Sequence, residues 1–328
     1  MKLSLGAMTL SLTACSISAM AAAVPPLVLT SSSTIEIPQS SGKFDFLRVD
    51  LKRHRLVAAH EKDGTVDFFD LQRKTLLTRV KVGEAVDTAP NADSSLYYHS
   101  VQEGERIAVV DAASLKEVKS IKMPGPTDAI LFEPKNRKIY VTHDEGADVW
   151  VIDPASAKIV ATVKIPGVPE FMVYDESADR IYLNIKTKDV VAVIDPSSNT
   201  VIATWPTGAA KQPHGLAVDA ATHRIFVAGG NAKMVAIDTH SGSIVGDTDI
   251  AAKVDQIAFD PSNGFVYSAG PDRMSVTQTA GSSLTLIGEF ATAATAKNVA
   301  VDPDTHFIWT TYTDGKSSFA KSWVPPKP

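Results

Sequence analysis

Residues 137–167 read RKIYVTHDEGADVWVIDPASAKIVATVKIPG, and this stretch decides the fold. Three short runs rich in β-branched and aromatic side chains are separated by the polar segments HDEGAD and DPASAK. The periodicity within the runs is two rather than 3.6, which is typical of half-buried β-strands. The stretch therefore predicts three antiparallel strands joined by tight turns.

The same pattern recurs along the chain about every 42 residues. Acidic residues that end the first strand of a unit are spaced by 42, 44, 41 and 42 residues, and they are Glu133, Asp175, Asp219, Asp260 and Asp302. Acidic residues that end the third strand are spaced by 41, 42, 42 and 43 residues, and they are Asp70, Asp111, Asp153, Asp195 and Asp238. Four short strands in a unit of this length are typical of a β-propeller blade.

The spacing predicts an all-β fold, a seven-bladed β-propeller with four antiparallel strands per blade. The last unit, Asn298 to Pro325, has room for three strands at most, whereas Ser33 to Pro38 forms a strand with no unit of its own. We predict that this N-terminal strand completes the last blade, because pairing the two chain ends would hide the edges of both terminal blades. Residues 33–328 then form a single propeller domain, although the length alone would also fit two domains.

Several segments resemble the repeat of the YVTN β-propeller family, the YncE-like group of secreted bacterial proteins. They are RKIYVTH (137–143), DVWVIDP (148–154) and ATVKIPG (161–167), with similar copies at 180–195 and 213–227. His143 stands where the family motif has asparagine, and units two, six and seven depart most from the pattern. The resemblance implies an exported propeller. It does not imply a site, since the motif residues are those that build blades.

The composition limits the possible functions. The chain is 44% hydrophobic, and 32 Lys and Arg against 37 Asp and Glu give a net charge of −5. No run of like charge reaches five residues, which argues against a general nucleic-acid surface. The single cysteine, Cys15, excludes a disulfide framework and a CxxC metal or redox site.

The N-terminus has the pattern of a secretory signal. Lys2 precedes an apolar and small-residue stretch from Leu3 to Ala23. We predict a signal peptide over residues 1–21, cleaved after Ala21, and a linker over 22–32. The alternative is lipidation of Cys15, since LTAC at 12–15 resembles a bacterial lipobox. We expect an exported, periplasmic or extracellular monomer with no transmembrane span, or a lipid-anchored one under the alternative.

Polar residues recur where the innermost strand of each blade begins, five residues before the acid that ends it. They should surround one end of the central channel, the channel mouth, and they are Asp45, Asp128, Glu170, His214, Asp255 and Lys297, with Asp87 assigned as the blade-two member although that blade lacks the strand-ending acid. Carboxylates held close raise each other's pKa, so such a ring attracts a cation or water. A hydrated rim without a ligand is the other interpretation, because equivalent repeat positions acquire similar residues.

Four of these residues, Asp128, Glu170, His214 and Asp255, are possible ligands of a divalent metal ion. Carboxylate oxygens suit Ca²⁺, and an added imidazole suits Zn²⁺ or Mn²⁺.

The loops between the second and third strands lie on the same face as the mouth. Three histidines are predicted to end second strands there, namely His60, His99 and His143. These loops are acidic in blades one to three and basic in blades four to seven, where the cations are Lys186, Lys188, Lys233, Arg273 and Lys316. Such an asymmetry would orient a charged partner, although ordinary solvated loop charge is the alternative.

Three functions remain open. No G-x-S-x-G, H-E-x-x-H or P-loop motif is present, so the leading hypothesis is a non-enzymatic module that binds a small ligand or a protein at the channel-mouth face. The second is a metal-dependent hydrolase of lactonase type using the carboxylates and histidine of the mouth. The third is nucleic-acid binding by the basic sector of blades four to seven, which the negative net charge makes unlikely.

Overall fold

The computed structural model describes residues 29–281 and 283–325. The predicted signal peptide, Cys15 and residues 22–28 of the predicted linker lie outside these ranges. Among the described residues, no helix has the length and apolar character needed to cross a bilayer.

Within the described ranges, 28 strands form seven separate four-stranded antiparallel sheets, which confirms the seven-bladed propeller. Blade one consists of β2 (Leu47–Asp50), β3 (Arg55–His60), β4 (Thr65–Asp70) and β5 (Thr75–Lys81). Blade two consists of β6 (Ala85–Pro90), β7 (Leu96–Val101), β8 (Arg106–Asp111) and β9 (Lys116–Lys122). Blade three consists of β10 (Thr127–Glu133), β11 (Lys138–His143), β12 (Asp148–Asp153) and β13 (Lys158–Lys164). Two 3₁₀ turns flank β3, at Leu51–Arg53 and Glu61–Asp63.

The remaining blades repeat this order from the channel outward. Blade four consists of β14 (Pro169–Asp175), β15 (Arg180–Ile185), β16 (Val190–Asp195) and β17 (Thr200–Pro206). Blade five consists of β18 (Pro213–Asp219), β19 (Arg224–Gly229), β20 (Lys233–Asp238) and β21 (Ile244–Asp249). Blade six consists of β22 (Gln256–Asp260), β23 (Phe265–Gly270), β24 (Arg273–Ala280) and β25 (Ser283–Ala291). Blade seven is β26 (Val299–Val301), β27 (Ile308–Thr313), β28 (Ser318–Val324) and β1 (Thr30–Ile37).

The N-terminal strand completes the last blade, as predicted. β1 pairs antiparallel with β28, from Ile37 opposite Ser318 to Thr30 opposite Val324. The strand begins at Thr30 rather than Ser33, so the last three residues assigned to the linker belong to the propeller. Because the outer strand of this blade comes from the opposite end of the chain, the ring is closed by backbone hydrogen bonds.

The apolar core is divided among the interfaces between blades. One cluster combines Tyr140 and Val151 of blade three with Ile181 and Leu183 of blade four. The third residue of the second strand is an almost fully buried aromatic in five blades, namely Tyr98, Tyr140, Tyr182, Phe226 and Tyr267. Each blade therefore packs against its two neighbours, and no single spherical core is needed for a chain of this length.

Apolar side chains from different blades meet inside the central channel. The rings of Phe46 and Phe171 lie 4.8 Å apart between centroids. The side-chain amide of Gln256 accepts from Leu47 N at 3.0 Å and donates to Leu47 O at 2.8 Å, which joins blade six to blade one. A cavity of about 370 Å³, lined mostly by apolar residues, includes Leu47 and Phe171 in its wall and extends to the far ends of the innermost strands. An apolar layer therefore lies inside the channel beneath the polar mouth.

Candidate functional site

A repeated β-bulge presents the side chains of the mouth in three consecutive blades. The register with the second strand shifts just after Thr127, Pro169 and Pro213. The residues that directly follow are Asp128, Glu170 and His214. A bulge turns one residue out of the regular pleat and redirects its side chain, which is how three innermost strands present polar groups at one end of the channel.

Asp87 does not belong to the channel mouth, so its assignment was wrong. In blade two Ala85 pairs with the last residue of β7, as Thr127 pairs with the last residue of β11, and the equivalent of Asp128 is therefore Val86. The count from the strand end failed because blade two has Asn91 in place of the strand-ending acid. Asp87 itself is fully buried.

The Asp87 carboxylate is the centre of a network that joins four blades. Arg48 of blade one donates to it twice, from Nε at 2.8 Å and from Nη2 at 2.6 Å. The backbone N–H groups of Thr88 and Ile130 also donate to it, at 2.7 and 3.1 Å. The Arg48 guanidinium lies 4.3 Å from the ring centroid of Phe171 in blade four. Composition and repeat spacing did not single out Arg48; the available signal was a cation between the apolar residues Leu47 and Val49 of the innermost strand.

Three of the four predicted metal ligands converge at the mouth. One ligand atom each from Glu170, His214 and Asp255 lie within 4.8 Å of one another, and all three residues are partly buried. His214 Nε2 is 3.9 Å from Glu170 Oε1. The fourth predicted ligand, Asp128, is not in this group, which is the one cluster of this kind among the described residues.

The orientation of the His214 ring favours a metal-binding role. Its Nδ1 lies 2.7 Å from the carbonyl oxygen of Gln212. A carbonyl only accepts, so Nδ1 must carry the proton, and in the neutral ring the Nε2 lone pair points toward Glu170. A histidine that donates from one nitrogen to a backbone carbonyl while the other stays free is the usual arrangement of a protein metal ligand.

The two other carboxylates of the mouth, Asp45 and Asp128, are partly buried and lie close to further acidic groups. Burial in the mouth, followed by repulsion from Asp255 and Glu61, raises the pKa of Asp45 well above its usual value. Burial and then repulsion from Glu170 and Asp45 raise the pKa of Asp128 in the same way. Among the described residues, neither carboxylate has a hydrogen-bond or ion-pair partner.

Two lysines act on the metal-ligand group. Lys186 Nζ lies 3.1 Å from Glu170 Oε2, and Lys297 Nζ lies 3.8 Å from Asp255 Oδ2. Burial raises the pKa of Glu170, against the lowering effect of His214 and Lys186. For Lys186, burial works against the charged ammonium, but the Glu170 and Glu145 carboxylates outweigh it and raise the pKa.

The three histidines predicted on the mouth-face loops are buried or packed against aromatic side chains of their own blades. His60 is fully buried, with Nδ1 2.7 Å from Asp67 Oδ2 and its ring stacked on Phe44 at 3.8 Å. His99 is also fully buried and lies inside β7 rather than at its end, so both residues are unavailable to a ligand. His143 is partly exposed but stacks on Trp150, with 4.7 Å between the ring centroids.

The basic sector of the mouth face is largely neutralised by local ion pairs. Lys186 bonds Glu145 and Glu170, Lys233 lies 2.6 Å from Asp249, and Arg273 lies 2.9 Å from Glu289. Lys188 is exposed and has no ion-pair partner among the described residues. Cations paired in this way add little net field for steering a nucleic acid, so the geometry does not favour that hypothesis.

Comparison with known proteins identifies the architecture alone. No protein-family model and no curated protein sequence matches the chain. A chain of the hydrazine synthase of Kuenenia stuttgartiensis is 14% identical, with a TM-score of 0.76 over 88% of this chain and 97% of that one.

Two further structures are similar over nine tenths or more of this chain. A chain of the mitotic checkpoint complex is 12% identical, with a TM-score of 0.79 over 98% of this chain and 100% of that one. The WD40 repeats of RRP9 are 8% identical, with a TM-score of 0.75 over 90% of this chain and 100% of that one. At these identities the likeness is one of fold, a seven-bladed β-propeller.

Proposed function

We propose that this chain is an exported β-propeller of YVTN type that binds its ligand at the channel mouth through a divalent metal ion held by Glu170, His214 and Asp255. The observation that carries the proposal is the convergence of these ligand atoms within 4.8 Å of one another. Ligand atoms bound at about 2.0–2.4 Å from one metal ion lie roughly 3–4.5 Å apart, so small side-chain rotations are enough to close the site.

The chemistry of the three side chains indicates which metal ions would bind. Two carboxylates and one imidazole suit Zn²⁺ or Mn²⁺ better than Ca²⁺, which prefers six to eight oxygen ligands. Three protein ligands leave coordination positions for water or for an oxygen donor of a ligand. Because an apolar layer lies beneath the mouth, a polar ligand would approach from the solvent on that face.

Calorimetric titration with MnCl₂, ZnCl₂ and CaCl₂ tests this proposal. We expect Mn²⁺ and Zn²⁺ to bind with 1:1 stoichiometry and Glu170→Gln to weaken binding by at least about 100-fold, since even residues that only orient metal ligands contribute 10–100-fold. The matched control is Glu103→Gln, an exposed carboxylate on the same face, which should leave affinity unchanged. Heat that is absent for all three metals, or equal affinity in Glu170→Gln, would contradict the proposal.

A metal-dependent hydrolase is the second candidate, favoured by the state of Asp128. This carboxylate lies beside Glu170, has no partner among the described residues, and has a raised pKa. A carboxylate whose pKa is shifted toward neutrality is suited to accept a proton from an attacking water.

A lactone assay separates the binding module from the hydrolase. With Mn²⁺ present, the hydrolase would convert γ- and δ-lactones plus water into hydroxy acids, measured as acid release at constant pH. Asp128→Asn should then lower the rate by 10²-fold or more, the usual contribution of general-base catalysis, while Mn²⁺ affinity by calorimetry stays within a few-fold. If lactone hydrolysis is no faster with the protein than with Mn²⁺ alone, the hydrolase hypothesis is wrong and the binding-module hypothesis stands.

A further inference from the structure

Lys186 extends over the channel mouth between two carboxylates of neighbouring blades. It directly follows β15, and its backbone N–H donates to Val168 O at 3.0 Å, which anchors it beside the start of β14. Its Nζ is 3.1 Å from Glu170 Oε2 and 3.3 Å from Glu145 Oε1. The side chain of Lys186 is 24% exposed, whereas that of Glu145, in the loop between β11 and β12, is 72% exposed.

The two oxygens of Glu170 face different partners. Oε1 faces the His214 ring, while Oε2 is the oxygen that contacts the Lys186 ammonium. A divalent ion bound to Glu170 would be within a few ångströms of that ammonium. Two cations this close in a partly buried site repel strongly, so the ammonium contact and metal binding oppose each other.

Glu145 offers the ammonium a second position. Lys186 already contacts this carboxylate, so rotation of a flexible four-carbon side chain would move Nζ away from Glu170 and keep one ion pair. Arginine would hold one fixed planar geometry, whereas lysine carries a compact charge that can shift between two acceptors.

We propose that Lys186 is a tethered counter-ion that competes with the metal ion for Glu170 and moves onto Glu145 when the metal binds. The inference rests on the proposed metal site. The competition lowers the apparent affinity of the site for any divalent ion, so that an ion must coordinate strongly to displace the ammonium. Lys186 would thus set the affinity of the mouth for the metal without coordinating it.

Calorimetric titration of MnCl₂ into Lys186→Met measures the competition directly. Methionine keeps an apolar side chain of similar length and removes the charge. We expect Mn²⁺ affinity to rise at least tenfold over wild type. Lys188→Met is the matched control, because Lys188 is exposed, lies in the same loop and contacts no carboxylate among the described residues. It should change affinity less than twofold.

A double-mutant cycle with Glu145→Gln distinguishes competition from a structural role. In the wild-type background we expect this substitution to weaken Mn²⁺ binding about three- to tenfold, because the displaced ammonium loses its second position. In the Lys186→Met background the same substitution should change affinity less than twofold.

The outcomes separate the two proposals. Tighter binding to Lys186→Met than to wild type supports the competition. Binding to Lys186→Met alone would support the competition but contradict metal binding by the wild-type protein. If wild type binds Mn²⁺ and Lys186→Met binds no tighter, Lys186 is not a competitor and the metal site stands alone. If neither protein binds, both proposals are overturned.

Discussion

Replacing Arg48 with methionine is expected to lower the free energy of unfolding by about 3 kcal/mol. The substitution removes both guanidinium bonds to Asp87 and leaves a carboxylate with no exposed surface and two backbone donors as its remaining partners. Breaking a buried ion pair from one side is costly because the remaining charge stays in the interior. Thermal unfolding should show a midpoint lowered by roughly 6–10 °C.

A double variant shows whether the buried charge causes the loss. Arg48→Met with Asp87→Asn has no buried ion, so we expect it to recover at least half of the stability that the single variant loses. Equal stability of wild type and Arg48→Met, or a double variant less stable than the single one, would show that the Arg48–Asp87 pair does not hold the innermost strands together.

His99 should make the stability of the protein decrease in mild acid. Burial, with a smaller contribution from the Arg106 guanidinium, lowers the pKa of His99 to about 3. Its ordinary pKa is 6.5, so below pH 6.5 the unfolded chain takes up a proton that the folded protein does not. The stability from this group is complete above pH 6.5 and falls by about 1.4 kcal/mol per pH unit toward pH 3, or about 2 kcal/mol at pH 5.

The measurement is a comparison of urea unfolding for wild type and His99→Gln at pH 7.5 and pH 5. The His99→Gln variant is expected to be less stable than wild type at pH 7.5, because it loses the bond between His99 Nδ1 and Thr88 Oγ1 at 2.8 Å. At pH 5 its free energy of unfolding relative to wild type should be about 2 kcal/mol more favourable than at pH 7.5. The mouth carboxylates, whose raised pKa values make stability increase as the pH falls, contribute equally to both proteins, so their effect cancels in the comparison. His54→Asn, an exposed turn position, is the control. A stability difference that does not change with pH would show that His99 is protonated in the folded protein.

Most of the mouth could be predicted because repeat geometry places equivalent positions on the same face. Asp45, Asp128, Glu170, His214, Asp255 and Lys297 were assigned from their distance to the strand-ending acid. The assignment of Asp87 was wrong because blade two has Asn91 at the position of the strand-ending acid, so the count along the chain was off by one residue. The prediction that His60 and His99 are available at the mouth face was wrong, because a position near the end of a strand does not reveal whether the side chain faces solvent or the protein interior.

Periodicity and spacing were sufficient to determine the seven blades, the four strands in each and the closure of the ring by the N-terminal strand. These features depend on local alternation and on a repeat length that neighbouring units share. The tertiary structure alone decided which polar residues meet. The convergence of Glu170, His214 and Asp255, the place of Lys186 between Glu170 and Glu145, and the burial of Asp87 against Arg48 all join residues of different blades. Contacts across a ring depend on register shifts and side-chain directions, which no pattern within one strand records.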